Sequence, residues 1–255
     1  MSLGYLWAMA FKAPLIVLST VLFGSASVAV SYFDPGGAVT DRIARAWARW
    51  LLILGGVRVR VRGLENFDPA RNCVFAGNHV SFIDTPVVLS CVPSRFLFLV
   101  NAKYVKLPFL GTHLSRCGHF SVDPDDARAS LRTLTQAARA SRERGVSVLL
   151  FPEGTRTRGE IGEFKEGAAY IAIKAGIPVV PFALRGTREI LPVGRIDVRG
   201  GLVDLVFGEP ISVEGYKLQD RAELNRAIRA SVVRLLARAE AAASADGQAA
   251  GAVRP

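Results

Sequence analysis

The sequence predicts an α/β domain with a central, mostly parallel sheet flanked by helices, behind an N-terminal hydrophobic and amphipathic helical segment. Three observations lead there. Short apolar runs of strand length alternate with longer helical runs over most of the chain. The stretch from Ala13 to Phe33 has no charged residue. An apolar content of 50% over 255 residues supplies a full core and argues against disorder. Alternating strands and helices favour parallel pairing, with a site opening at strand ends.

Taken in order, Ala13 to Phe33 is long enough to cross a bilayer core of about 30 Å. The alternative is a secretory signal peptide, with small residues at Ser25-Ala26-Ser27 for cleavage. A helix over Asp41 to Leu54 follows, with Ile43, Trp47, Trp50 and Leu54 on one face and Arg42, Arg45 and Arg49 on another. Such a helix suits the headgroup layer, with Trp at the interface and Arg on anionic lipid phosphates; a plain core helix is the other reading. The Arg cluster puts this side of the apolar span in the cytoplasm. Val57, Val59 and Val61 alternate with Arg58, Arg60 and Arg62 in a strand that either touches anionic lipid or forms a solvated edge. Further strands fall near Cys73–Ala76, Phe96–Val100, His119–Val122, Val146–Phe151, Val179–Leu184 and Leu202–Phe207, with long helices over Asp125–Arg144 and Lys217–Ala243. Small and polar residues after Ala243 read as a disordered tail. The division is therefore membrane-anchoring helices over 1–55, a catalytic domain over 56–243 and a tail over 244–255.

The net charge of +10 suits nucleic acid, anionic lipid or an acidic substrate. No zinc finger, aromatic RNA-binding strand or repeat supports nucleic acid. Cys73, Cys91 and Cys117 are odd in number and widely spaced, which reads as reduced core thiols. His113 and His119 lie near Asp123, Asp125 and Asp126, but the spacing fits no metal-ligand pattern, so no metal is expected.

The chemistry concentrates in Asn78-His79-Val80-Ser81-Phe82-Ile83-Asp84, between an apolar strand and an apolar helix. In a continuous helix His79 and Asp84 would lie roughly 140° apart, whereas a strand-to-helix turn lets Asp84 fold back to the ring. A carboxylate on one ring nitrogen fixes the tautomer, frees the other nitrogen to take a proton and stabilises the imidazolium. The competing reading is a His and an Asp that cap a helix and meet water. Ser81 beside the base has no Gly-x-Ser-x-Gly elbow, which disfavours a hydrolase.

A second segment, Phe151-Pro152-Glu153-Gly154-Thr155-Arg156, follows an apolar strand and leads to Phe164-Lys165-Glu166-Gly167 and a helix. Gly154 and Thr155 leave backbone donors open, and Arg156 adds a planar fork suited to a phosphate. The ordinary alternative is a strand-to-helix turn with a solvated Arg.

With Ile177-Pro178-Val179-Val180-Pro181, these blocks resemble, in kind and order, the glycerolipid acyltransferase family, specifically the 1-acylglycerol-3-phosphate acyltransferases. The resemblance covers about Gly63 to Gly186 and includes Ala102-Lys103 and Pro108-Phe109-Leu110-Gly111. It implies direct transfer without a cofactor, metal or covalent intermediate. His79 takes the proton of the acceptor hydroxyl and Asp84 orients it. Lys103, Glu153, Gly154, Thr155 and Arg156 form the phosphate region, where Glu153 orients Arg156 or the loop. The implied partners are an acyl-CoA or acyl-carrier protein donor and a lysophosphatidic acid acceptor. The family usually has Asp-Arg after the next strand, whereas here Asp123 precedes Pro124, which has neither charge nor donor. Lys103 and Arg156 then carry more of the phosphate, with Arg116 or Arg128 as substitutes. The departure keeps open a related acyltransferase for another lysolipid, such as lyso-ornithine lipid. A non-enzymatic basic lipid-binding protein is the rival outside enzymes, although lipid binding alone needs no oriented base.

Overall fold

The computed structural model describes residues 8–107, 109–157, 160–195 and 197–252, so Pro108 of the expected Pro-x-x-Gly turn and 253–255 of the tail lie outside the described residues. Helix α1 (Ala13–Ser31) and helix α2 (Ala38–Gly55) come first, followed by strand β1 (Val57–Arg62). The chain continues through β2 (Val74–Gly77), α3 (Asp84–Cys91), β3 (Phe96–Asn101), α4 (Leu110–Arg116), β4 (Phe120–Val122), α5 (Ala127–Arg144) and β5 (Ser147–Leu150). Helix α6 (Gly167–Ala175), β6 (Val179–Arg185), α7 (Thr187–Ile190), β7 (Gly201–Phe207) and α8 (Arg221–Ala252) complete it.

The sheet has seven strands in the order β1-β7-β6-β2-β5-β3-β4. All neighbours pair parallel except β6 and β7, so β1 and β7 run against the other five. The period-two pattern sends alternate residues to two cores. Phe75, Leu149, Val180 and Phe182 face a layer with Val87 and Val88 of α3 and Ala48 and Leu52 of α2. Val74, Ala76, Val148 and Leu150 face α5, α6 and α8 through Ala137, Ala168, Ile171, Leu224 and Ile228. Burial on both faces explains why the central strands read as continuous apolar runs.

Helices α1 and α2 pack against each other, and α1 also meets α4. Trp47 donates to Thr20 Oγ at 3.2 Å and Trp50 to Ser19 Oγ at 2.8 Å, so both indoles dock α1 instead of standing apart from it. Farther along α1, Ser27 Oγ lies 2.7 Å from His113 Nδ1, and Ser31 accepts from Arg116 at 2.6 Å. One face of α1 is thereby stitched to the domain, while Leu15, Val17, Leu18 and Leu22 remain exposed.

Two expectations change here, and β1 takes the edge position that one of its two readings gave it. Arg45 does not line a headgroup face: its guanidinium donates to the carbonyls of Leu89, Val92 and Ser94 at 3.2, 2.5 and 2.8 Å and pairs with Asp41 at 2.7 Å. The end of α3 leaves carbonyls without helical partners, and the partly buried Arg45 guanidinium satisfies them. Residues 244–252 are helical, not a disordered tail, because the Ala-rich run through Ala241, Ala242, Ala243 and Ala245 has the best intrinsic helix propensity. Asp246 also pairs with Arg60 at 2.7 Å. Finally, β1 is an edge strand in which Arg60 bonds Asp204 of its neighbour, so this Arg serves an internal ion pair.

Candidate active site

Strand β2 ends at Gly77, where any Cβ would collide with the Phe182 ring, and this close fit lets the chain leave the sheet beneath the site. Asn78 then grips β6 through both backbone groups of Leu184, at 2.9 Å to its carbonyl and 2.8 Å from its N–H. The following turn brings Asp84, first residue of α3, back onto His79, with Oδ2 2.8 Å from Nδ1. The same oxygen accepts the N–H groups of Val80 at 2.7 Å and Ser81 at 2.8 Å. Asp84 is fully buried and sits at a helix N-terminus, where peptide dipoles favour its negative charge. A carboxylate only accepts, so Nδ1 is the donor of this bond and the ring orientation is fixed through it. The His79 ring stacks on Phe151 with centroids 4.1 Å apart, which fixes its plane, and its side chain keeps 17% exposure. Ser81 donates to the Leu191 carbonyl at 2.8 Å and accepts from Ile83, so its hydroxyl is a turn brace.

His79, Lys103, Gly154, Thr155 and Arg156 line one cavity of about 990 Å³. Asp84 and Glu153 stand behind its wall. Of the two roles expected for Glu153, orienting Arg156 or the loop, its contacts are with the loop, and it does not line the cavity. Its buried carboxylate accepts the His79 N–H at 2.7 Å through Oε1 and the Gly162 N–H at 2.9 Å through Oε2. Both oxygens are occupied, and an anion facing a phosphate would repel it; Glu153 holds the loop and the backbone of the base.

Arg156 lies flat on Phe82, Cζ 3.3 Å from the ring centroid, with Nη2 3.4 Å from the Tyr104 hydroxyl. The Lys103 ammonium stands 5.2 Å from the Tyr104 centroid. Gly154 adopts φ of 70°, and a Cβ there would meet Lys165 Cε and Nζ at 3.2 Å. Lys165 thus brings a further cation to the cavity wall beside Lys103 and Arg156. Phe82, Tyr104 and Lys165 were not assigned site roles from the sequence. Phe82 occupies a variable position inside the Asn-His-x4-Asp block, and Tyr104 directly follows Lys103, so only adjacency signalled them.

The remaining wall is largely apolar, including Leu99, Leu114, Val122, Leu131 and Leu134. Pro124 contributes to it, whereas Arg116 and Arg128 do not line it. Arg116 instead lies over Tyr32, 3.7 Å from its centroid. At the far side, His119 Nδ1 accepts the Phe98 N–H at 3.0 Å and its ring lies 5.6 Å from that of His113. Burial, with His113 and Arg95 nearby, pushes the His119 pKa down to about 3. Burial also raises all three thiols, Cys73 to about 12, although only Cys73 lies fully in the core.

An imidazole held by a carboxylate, several basic side chains and a largely apolar wall meet in one cavity, which suits a ligand that is part charged and part apolar. The family follows from comparison with known proteins, because a family model described as Acyltransferase matches residues 58–185, about half of the chain, and this protein belongs to that family. It is 35% identical over 172 residues to the 1-acyl-sn-glycerol-3-phosphate acyltransferase BAT2, chloroplastic, of Brassica napus, a match covering 66% of this chain and 49% of that one. The 1-acyl-sn-glycerol-3-phosphate acyltransferase of Haemophilus influenzae is 31% identical over 173 residues, covering 66% and 71%. That of Pseudomonas aeruginosa is 29% identical over 228 residues, covering 88% of each. The chain spans about half the length of the plant chloroplast relatives it matches. The crystal structure of the 1-acyl-sn-glycerophosphate (LPA) acyltransferase PlsC from Thermotoga maritima has the same fold, with a TM-score of 0.78 and 24% identity over 93% of this chain and 96% of that one.

Proposed function

We propose that this protein transfers a fatty acyl group from acyl-CoA or acyl-carrier protein to the free hydroxyl of 1-acylglycerol-3-phosphate, forming phosphatidic acid. The supporting observation is the 2.8 Å His79–Asp84 pair in the wall of an apolar cavity that also carries Lys103, Arg156 and Lys165. His79 Nε2 takes the hydroxyl proton as the acceptor oxygen attacks the thioester carbonyl. Asp84 stabilises the imidazolium. The tetrahedral intermediate collapses with cleavage of the C–S bond, and the departing thiolate recovers the proton from His79. Lys103, Arg156, Lys165 and the Thr155 backbone hold the acceptor phosphate, whereas the Gly154 N–H, expected as a further donor, is already given to the Phe151 carbonyl at 3.0 Å. Because Phe82, the platform of Arg156, belongs to the same turn as His79, phosphate and hydroxyl are positioned against one frame.

The protein works at the cytoplasmic face of the inner membrane, with α1 and α2 as its anchor. Since α1 is bonded to α2 and α4 along Ser19, Thr20, Ser27 and Ser31, its exposed apolar side enters the lipid while the rest stays on the domain. Exposed Arg42 and Arg49 remain available to anionic headgroups.

A second reading is favoured by Pro124 in the cavity wall: the acceptor is a phosphate-free lysolipid such as lyso-ornithine lipid. An assay with labelled acyl-CoA in mixed micelles, offering lysophosphatidic acid, another lysophospholipid and lyso-ornithine lipid, separates the two. Labelled phosphatidic acid is the expected product. Acylation of the phosphate-free lysolipid with none of lysophosphatidic acid overturns the primary reading. His79→Ala is expected to lower kcat by about 10²–10⁴-fold without unfolding, and Asp84→Asn to be comparably harmful through the wrong tautomer.

A further inference from the structure

Helix α8 lies beyond the span matched by the family model, and its apolar face is fully buried through Leu224, Ile228 and Val232. Beside that face runs a polar stripe at helical spacing, Arg221, Asn225 and Arg229, all three engaged with the loop after Arg156. Arg221 pairs with Glu166 at 2.6 Å, and Asn225 donates to the Phe164 carbonyl at 2.6 Å. Arg229 donates to two successive carbonyls, Ile161 at 2.7 Å and Gly162 at 2.8 Å.

Gly162 is held from both sides. Its carbonyl is fixed by Arg229 and its N–H by Glu153 Oε2 at 2.9 Å, while Glu153 Oε1 accepts the His79 N–H at 2.7 Å. The connection from α8 to the base therefore passes through one residue and one buried carboxylate. The Thr157 N–H donates to the His79 carbonyl at 3.0 Å and closes the same loop onto the other side of that residue.

We propose that Arg229 is a positioning residue for acyl transfer, acting through Gly162 and Glu153 on the backbone of His79. The proposal rests on the reading of His79 as the general base. A forked guanidinium suits the task because it bonds both carbonyls in one plane, which an ammonium cannot do. If the loop relaxes, Glu153 loses the partner that fixes Oε2 and the His79 backbone is free to shift. A displacement near 1 Å at a reacting group costs up to about 10²-fold.

The test uses the full chain in mixed micelles with lysophosphatidic acid and labelled acyl-CoA, with folding followed by thermal melts. Arg229→Ala is expected to lower kcat about tenfold to 10²-fold while the acyl-donor KM moves by less than about twofold, and added guanidinium is expected to restore part of the rate. In a double-mutant cycle, Arg229→Ala in a Glu153→Gln background is expected to cost less than about twofold more, since the connection is already cut. A folded Arg229→Ala protein with wild-type kcat, or penalties that multiply in the cycle, overturns the proposal. If Arg229→Ala does not fold, Arg229→Lys replaces it: a fall of several-fold supports the proposal and an unchanged kcat overturns it. His79→Ala runs alongside. Turnover surviving in that variant removes the general-base reading itself, whereas its loss with Arg229→Ala unaffected removes only the positioning role.

Discussion

Arg156 shows how a single side chain takes its function from neighbours that its own motif does not contain. The Phe-Pro-Glu-Gly-Thr-Arg block delivers a guanidinium to the cavity, but the Phe82 ring 3.3 Å beneath it sets the plane of the fork. A cation over an aromatic face is worth about 0.5–2 kcal/mol, depending on desolvation. Phe82→Ala is therefore expected to raise the acceptor KM by about two- to thirtyfold while leaving the donor KM nearly unchanged. Arg156→Ala is expected to raise acceptor KM further and to lower kcat, because a loosely held phosphate also misplaces the hydroxyl. Arg156→Lys recovers only part of this. Steady-state kinetics with each substrate varied in turn measure all three, and equal rises in both KM values would break the assignment of Arg156 to the phosphate. Glu153 teaches the complementary lesson. Its place in the block marks it as important, yet only its burial behind the wall identifies its partners as the backbone N–H groups of His79 and Gly162.

At the scale of elements, α1 combines a sequence apolar enough to cross a bilayer with a docked face that ties it to α2 and α4. Leu15, Leu18 and Leu22 recur at helical spacing on its exposed side. Replacing them together by Glu is expected to abolish co-sedimentation with anionic vesicles. The melting temperature in detergent-free buffer should stay close to that of the parent, since exposed positions contribute little to folding. Undiminished vesicle binding would place the attachment elsewhere. Helix α2 carries the other lesson. Its amphipathic pattern was legible, but three arginines on one stretch were not equivalent, because Arg45 alone is positioned to meet the unpaired carbonyls at the end of α3.

For the molecule as a whole, acid stability is expected to hinge in part on the half-buried imidazoles between α1, α4 and the sheet. The unfolded chain protonates His119 near the ordinary imidazole value of about 6.5. The folded protein does so only near 3, because burial and the neighbouring His113 and Arg95 oppose the charge. Protons therefore bind preferentially to the unfolded chain between these values, and stability falls as pH drops through that window. Burial lowers the His113 pKa as well, in the same direction. His119→Asn, which keeps an acceptor for the Phe98 N–H, is expected to flatten the decline of melting temperature between about pH 6.5 and pH 4. Parallel declines in the two proteins would exclude His119 as a contributor.

What the sequence determined by itself was local: strands and helices follow hydrophobic period, and the His79–Asp84 turn follows from a strand meeting a helix within a few residues. The cationic block was legible for the same reason, since Gly154, Thr155 and Arg156 are contiguous. Tertiary structure alone decided what depends on residues far apart in the chain. The reversal of β1 and β7, the Arg45 bonds to the end of α3, the turn of Glu153 toward Gly162 and the grip of Arg229 on that loop all join segments whose spacing encodes no periodicity. Burial then converts such meetings into fixed geometry, because a charged or polar group removed from water must find a partner wherever the fold supplies one.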